Sequence, residues 1–171
     1  MTTEDSKPPL IEHLIEIRQR LIKSVLAVLF CFAGLAYFAN DLYTQIATPL
    51  LSVMPEGAGM IATDVAAPFF APFKLAFMLS IVLAFPVILH QMWGFIAPGL
   101  YSHEKRFAAP ILFSSVFLFY AGIAFAYFIV FPLAFAFFTS VAPEGITIAT
   151  DISSYLDFVL KIFIAFGFAF E

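Results

Sequence analysis

Long apolar runs separated by short charged clusters make up this chain. A helix rises about 1.5 Å per residue, so roughly 20 apolar residues cross a bilayer core. Residues 21–39, 73–93 and 107–138 meet that length and predict three membrane spans. Lys23 sits at the start of the first, where its ammonium can snorkel to the headgroups, and Asn40 and Asp41 close it. The second carries Pro86, which predicts a local kink, and ends on His90, Gln91 and Trp93, suited to an interface. The third is longer than a perpendicular crossing needs, which predicts tilt, with Pro110 in its first turn and Pro132 near its last. A fourth apolar run, 162–170, follows Tyr155, Asp157 and Lys161 and is too short to span. Residues 155–171 therefore read as the start of a fourth helix, and the chain as an amino-terminal part of something larger, because helices rarely end with open carbonyls inside hydrocarbon.

The polar segments divide into two sets. Residues 1–20 form an amphipathic segment in which Ile11, Leu14, Ile15, Leu21 and Ile22 recur at helical spacing, predicting an interfacial helix that runs into the first span. Segment 94–106 joins the second and third spans, while 40–72 and 139–154 lie on the other side of the membrane. In 40–72 a short helix over 49–54 is expected, since proline suits a first turn. Lys7, Arg18, Arg20, Lys23, Lys105 and Arg106 flank one side against Lys74 and Lys161 on the other, so the amino terminus is expected in the cytoplasm.

Composition agrees with the pattern. With 63% hydrophobic residues, 24 Phe and 12% charge, the chain cannot be solvated as a globule in water. The fold class expected is all-α, a multi-span membrane helix bundle. Before the first span there is no apolar stretch that would act as a cleavable signal. Cys31 is the single cysteine, inside the first span, and reads as a small packing residue. His13 with Glu12 and Glu16, or His103 with Glu104, fall short of the converging ligands a metal needs. No phosphate loop, nucleophile elbow or dinucleotide fingerprint occurs, so neither an enzyme nor a cofactor or nucleic-acid partner is expected.

The charged residues that remain are the candidates for function. Glu12 and Glu16 are four apart and repel unless a cation lies near, and Arg18 falls on the apolar stripe. Spacing leaves two arrangements open: Glu16 pairs with Arg20 while Arg18 snorkels, or these groups serve a ligand. Counting ten residues from Lys161 puts Glu171 roughly 15 Å into the membrane, where ionisable groups face protein or water and mark functional sites.

HLIEIRQRL at 13–21, YFANDLY at 37–43, MIATDVAAPFFAPFK at 60–74, FIAPGLYSHEKR at 95–106 and FAYFIVFPLAF at 125–135 together resemble the TatC family. TatC is the receptor subunit of the twin-arginine protein translocase. Gln19 and Ser102 depart from the family pattern, each standing where a charged residue is common. The resemblance implies a cupped six-helix bundle in the inner membrane with both termini in the cytoplasm, of which this chain covers four helices, the fourth incomplete. It implies a cytoplasmic surface that reads twin-arginine signal peptides on folded cargo through Glu16, Arg18, Phe95 and Glu104. Glu171 would be an intramembrane polar contact for a partner, and Pro49 a structural position in the first outer loop. The partners implied are TatB, TatA, further copies of TatC and the lipid bilayer, with assembly driven by the proton-motive force.

Physical chemistry suits that role, because carboxylates bind a planar guanidinium fork bidentately and an ammonium cannot match this. The alternative functions are a solute or ion transporter using Glu171 and Asp157 as coupling groups, and an assembly scaffold with no recognition of its own.

Overall fold

The computed structural model describes residues 9–52, 54, 59–96, 105–141 and 149–171. Helix α1 runs unbroken over Pro9–Tyr37, so the amphipathic segment and the first span are one 29-residue helix. Phe38, at φ −100° and ψ 14°, breaks it, and α2 follows over Ala39–Leu51. The proline-initiated helix expected over 49–54 is corrected: Pro49 lies in the last turns of α2. Leu42, Tyr43, Ile46, Ala47 and Leu50 share one face of that helix and pack into the core, and this apolar stripe fixes where it starts.

The second span is longer than its apolar run implied, since α3 covers Ala67–Ile96. Pro68 and Pro72 had placed residues 67–72 in the preceding loop. Pro68 falls in the first turn, where no N–H acceptor exists, and Pro72 forfeits one bond, which 30 residues of helix tolerate. The third span is α4 over Lys105–Phe125, a π-helical turn over Ala126–Val130 and α5 over Phe131–Ser140. Within the turn the Phe131 N–H donates to Ala126, five residues back, and Pro132 follows without an N–H to restore the tighter register.

The fourth apolar run also needs correction. It was expected to be too short, yet α6 extends over Ile152–Phe170, and its 19 residues are long and apolar enough to cross a membrane. The helix was expected from 155, with Ser153 and Ser154 in the preceding loop; α6 starts at Ile152, and Asp157 within it pairs with Lys74 of α3. Among the described residues, four helices are long and apolar enough to span.

Two apolar cores hold the bundle, the first of them rich in phenylalanine. Phe131, Phe135, Tyr155, Val159 and Phe163 form one core with Ala47 and Leu50 of α2, while Ala71, Leu75, Leu156 and Leu160 form a second between α3 and α6. Further along, Phe85 of α3 stacks on Phe119 of α4 with centroids 3.8 Å apart, and Phe168 of α6 meets both rings edge-on. At Gly122 of α4 an added Cβ would lie 2.3 Å from the Phe166 carbonyl oxygen, so α4 and α6 touch backbone to backbone.

Pro49, Pro72, Pro86 and Pro110 lie inside these helices, and two of the carbonyls they leave unpaired find a tyrosine. Pro86 cannot donate to the carbonyl of Val82, four residues back; the Tyr120 hydroxyl donates to it at 2.9 Å. Pro49 likewise frees the carbonyl of Gln45, and the Tyr127 hydroxyl donates there at 2.9 Å. Tyr127 belongs to the π-helical turn, so the extra residue in that turn helps aim its side chain at α2. An unsatisfied carbonyl in hydrocarbon costs several kcal/mol, so each proline and its tyrosine form one unit. Tyr155 adds a second hydroxyl to α2, donating to Ile46 at 2.6 Å.

At the α2 end of the bundle, Met60–Ile61 (β1) pairs in parallel with Thr150–Asp151 (β2). Asp151 caps α6, its carboxylate accepting from the N–H groups of Ser153 and Ser154 and from the N–H and hydroxyl of Thr63. These donors hold its carboxyl well below the usual range, the Ser154 N–H contributing most. A depressed pKa contributes stability above the ordinary Asp pKa that is lost as pH falls through the folded value. Asp151→Ala is therefore expected to lower the melting temperature at neutral pH, while Asp151→Asn, which still caps, keeps most of it but loses the acid dependence. Melts of both variants from pH 7 downward check this. Nearby, burial and the Asp151 charge push the Tyr43 hydroxyl up to about 12, and it donates to the Ile152 carbonyl.

Candidate functional site

The start of α1 and the end of α3 meet at one end of the bundle and bring several of the expected residues together. The His13 ring lies 4.5 Å from the Phe95 ring, centroid to centroid. One turn further along α1, Glu16 accepts from Arg20 Nε at 3.0 Å and from Nη2 at 2.7 Å, both on Oε1. Of the two arrangements that spacing left open, the ion pair is formed. Both side chains are about one-third exposed, 34% for Glu16 and 27% for Arg20, so a pair four apart in a helix is worth only about 0.3–0.5 kcal/mol. Arg18 is exposed beside it.

Arg20 reaches α3 as well. A Cβ on Gly94 would sit 2.2 Å from Arg20 Nη1 and 2.9 Å from Cζ, so the guanidinium rests against the Gly94 backbone and a side chain there would push this flexible head aside. Beneath it opens a cleft of about 370 Å³ between the two helices, with Ile17, Leu21, Ile88, Met92 and Phe95 as apolar walls and Ser24 and Gln91 as polar points. A carboxylate, an aromatic ring and an apolar cleft thus lie within a few turns of helix. Such a site can take a cation followed by apolar residues.

Glu104 falls outside the described residues. Pro49 sits at the opposite end of the bundle, in α2, and does not contact this site. Glu171 caps α6 and is exposed. Its neighbours Phe168 and Phe170 contact Phe85 of α3 and Phe119 and Phe125 of α4.

Two contacts were not foreseen. His13 and Phe95 lie on different spans with nothing in sequence to link them. Lys74 and Asp157 pair across α3 and α6 at the edge of a separate cleft of about 520 Å³, lined by Phe32, Phe70, Phe73 and Phe77. Their only sequence signal is charge placed inside otherwise apolar helices. Among the described residues no group of His, Cys, Asp and Glu could hold a metal.

Four apolar helices that reach across a bilayer, packed through phenylalanine layers and carrying a charged cleft at one end, define a multi-pass membrane protein. The Sec-independent protein translocase protein (TatC) family model matches residues 12–171, and the chain belongs to the TatC family. It is 63% identical over 167 residues to the Sec-independent protein translocase protein TatC of Azotobacter chroococcum, a match covering 98% of this chain and 66% of that one. The Escherichia coli K12 protein of the same name is 57% identical over 171 residues, covering 100% and 66%. A crystal structure of the twin arginine translocase receptor TatC superposes with a TM-score of 0.82 at 42% identity, covering 93% of this chain and 70% of that one. The chain spans about two thirds of the length of the curated relatives it matches.

Proposed function

We propose that this chain is the signal-reading part of a twin-arginine translocase receptor. The observation that carries the reading is the Glu16 carboxylate, bonded to the Arg20 that lines an apolar cleft and one turn from the His13–Phe95 ring contact. A twin-arginine signal peptide offers the matching chemistry, a pair of guanidinium forks followed by apolar residues. Glu16 and Glu104 bind the arginines, Arg18 helps set the local charge, and Phe95 packs against the apolar residues that follow. The excess of basic residues at this end supports a cytoplasmic orientation for it, and the receptor reading implies the inner membrane. Glu171 contacts a polar group of a single-span partner, TatB or TatA, inside the bilayer, and assembly with these partners and further TatC copies draws on the proton-motive force. Pro49 acts structurally, by freeing the Gln45 carbonyl that accepts from the Tyr127 hydroxyl.

Binding of fluorescent peptides to the full-length protein in membranes tests the reading. Glu16→Gln and Glu104→Gln are each expected to reduce the preference for Arg-Arg over Lys-Lys by about tenfold, the worth of one charge-assisted fork. Undiminished preference in both variants would overturn it.

The transporter reading asks Glu171 and Asp157 to share one site. They lie fourteen residues apart on a single helix, about 21 Å along its axis, with Asp157 engaged by Lys74. Small-solute uptake by vesicles carrying the protein would revive that reading. Glu171→Ala is expected to abolish partner crosslinks near the end of α6, and crosslinks that persist would remove its partner role.

A further inference from the structure

Glu16 does not wait empty for a ligand. Its Oε1 accepts from two nitrogens of Arg20, the arrangement an incoming arginine would itself make. The Arg20 head also fills the space over Gly94, between the carboxylate and the apolar cleft that Phe95 lines. We infer that Arg20 is an internal stand-in for a signal arginine, which a peptide must displace from Glu16 and Gly94 in order to bind.

The inference rests on the receptor reading above and deepens it. Displacement is feasible because Arg20 is partly exposed and on a long stem, so a rotamer change carries its head into water with no movement of the backbone. A fork–fork pair with both carboxylate oxygens needs Oε1, whose lone pairs Arg20 occupies. Only the fraction of molecules with Arg20 swung away binds fully, and the apparent Kd rises by the reciprocal of that fraction. Because the Arg20 head also fills the space over Gly94 that either peptide has to enter, the factor is the same for Arg-Arg and Lys-Lys. Arg20 therefore sets a threshold: it leaves the ratio of Arg-Arg to Lys-Lys affinity unchanged and moves weak cationic peptides out of the binding range.

The full-length protein in nanodiscs, titrated with labelled Arg-Arg and Lys-Lys peptides, separates the possibilities. Arg20→Gln is expected to tighten both peptides by the same factor, roughly two- to fivefold for a partly exposed pair. Arg20→Lys keeps the charge but loses the fork, and is expected to tighten both by a smaller factor, whereas simple charge repulsion would leave it like the unsubstituted protein. In a Glu16→Gln background the Arg20→Gln gain is expected to disappear. Weaker or unchanged binding in both Arg20 variants, with Arg-Arg preference intact in the unsubstituted protein, overturns the role of Arg20 alone. Absence of any Arg-Arg preference in the unsubstituted protein overturns the receptor reading and this inference with it.

Discussion

Gly122→Ala is expected to destabilise the detergent-solubilised protein by about 1–3 kcal/mol, because the added methyl overpacks a site that lacks room for it. The atom it meets is the backbone carbonyl oxygen of Phe166, at 2.3 Å, and a backbone cannot step aside as a side-chain tip can. The Cβ of Phe170 stands 3.1 Å away on the same helix, so α6 must shift as a unit. Phe85, Phe119 and Phe168 interlock beside this contact, which carries the shift into α3. Gly34→Ala is the control: nothing lies within 4 Å of its Cβ, and alanine's better helix propensity leaves stability equal or raised. Thermal melts of the two variants measure the contrast, and equal losses would mean that α4 and α6 do not meet at Gly122.

Tyr120→Phe is expected to cost about 1–3 kcal/mol in the same assay, the penalty for leaving the Val82 carbonyl without a donor. The same loss is expected from Tyr127→Phe, which strips the Gln45 carbonyl. What distinguishes this account from ordinary packing is the response to the prolines. Pro86→Ala restores an N–H for Val82, and Pro49→Ala one for Gln45, so each tyrosine hydroxyl becomes dispensable in the matching background. The paired variants are expected to lose less than the sum of the singles by about 1 kcal/mol, while the crossed pairs Tyr120 with Pro49 and Tyr127 with Pro86 add. Additivity in the matched pairs would show that hydroxyl and proline act independently.

Span positions were legible in the sequence because apolar runs near 20 residues long have few other stable solutions. Boundaries were less so. Reading prolines as breaks shortened α3 at its start and misplaced the helix around Pro49, although a proline near a helix end, or one whose freed carbonyl finds a hydroxyl, costs little. Ser153 and Ser154 hid the first turn of α6, and the pairing of Asp157 was not legible because its partner Lys74 comes from another span. The candidate site was legible as residue types but not as geometry. Glu16 and Arg20 are four apart and their pairing could be weighed from spacing, while His13 on Phe95 and Arg20 over Gly94 depend on how α1 crosses α3. The short pairing of β1 with β2 and the fourfold-bonded Asp151 had no periodic signal to give them away.

A photocrosslinking residue at position 95 in the full-length protein, in membranes, tests the receptor reading most directly. Phe95 borders both the His13 contact and the apolar cleft, so a bound signal peptide has to pass it. A strong adduct with an Arg-Arg peptide that disappears with Lys-Lys is the predicted result. Adducts of equal yield with the two peptides, or none with either while the protein remains folded, would contradict it.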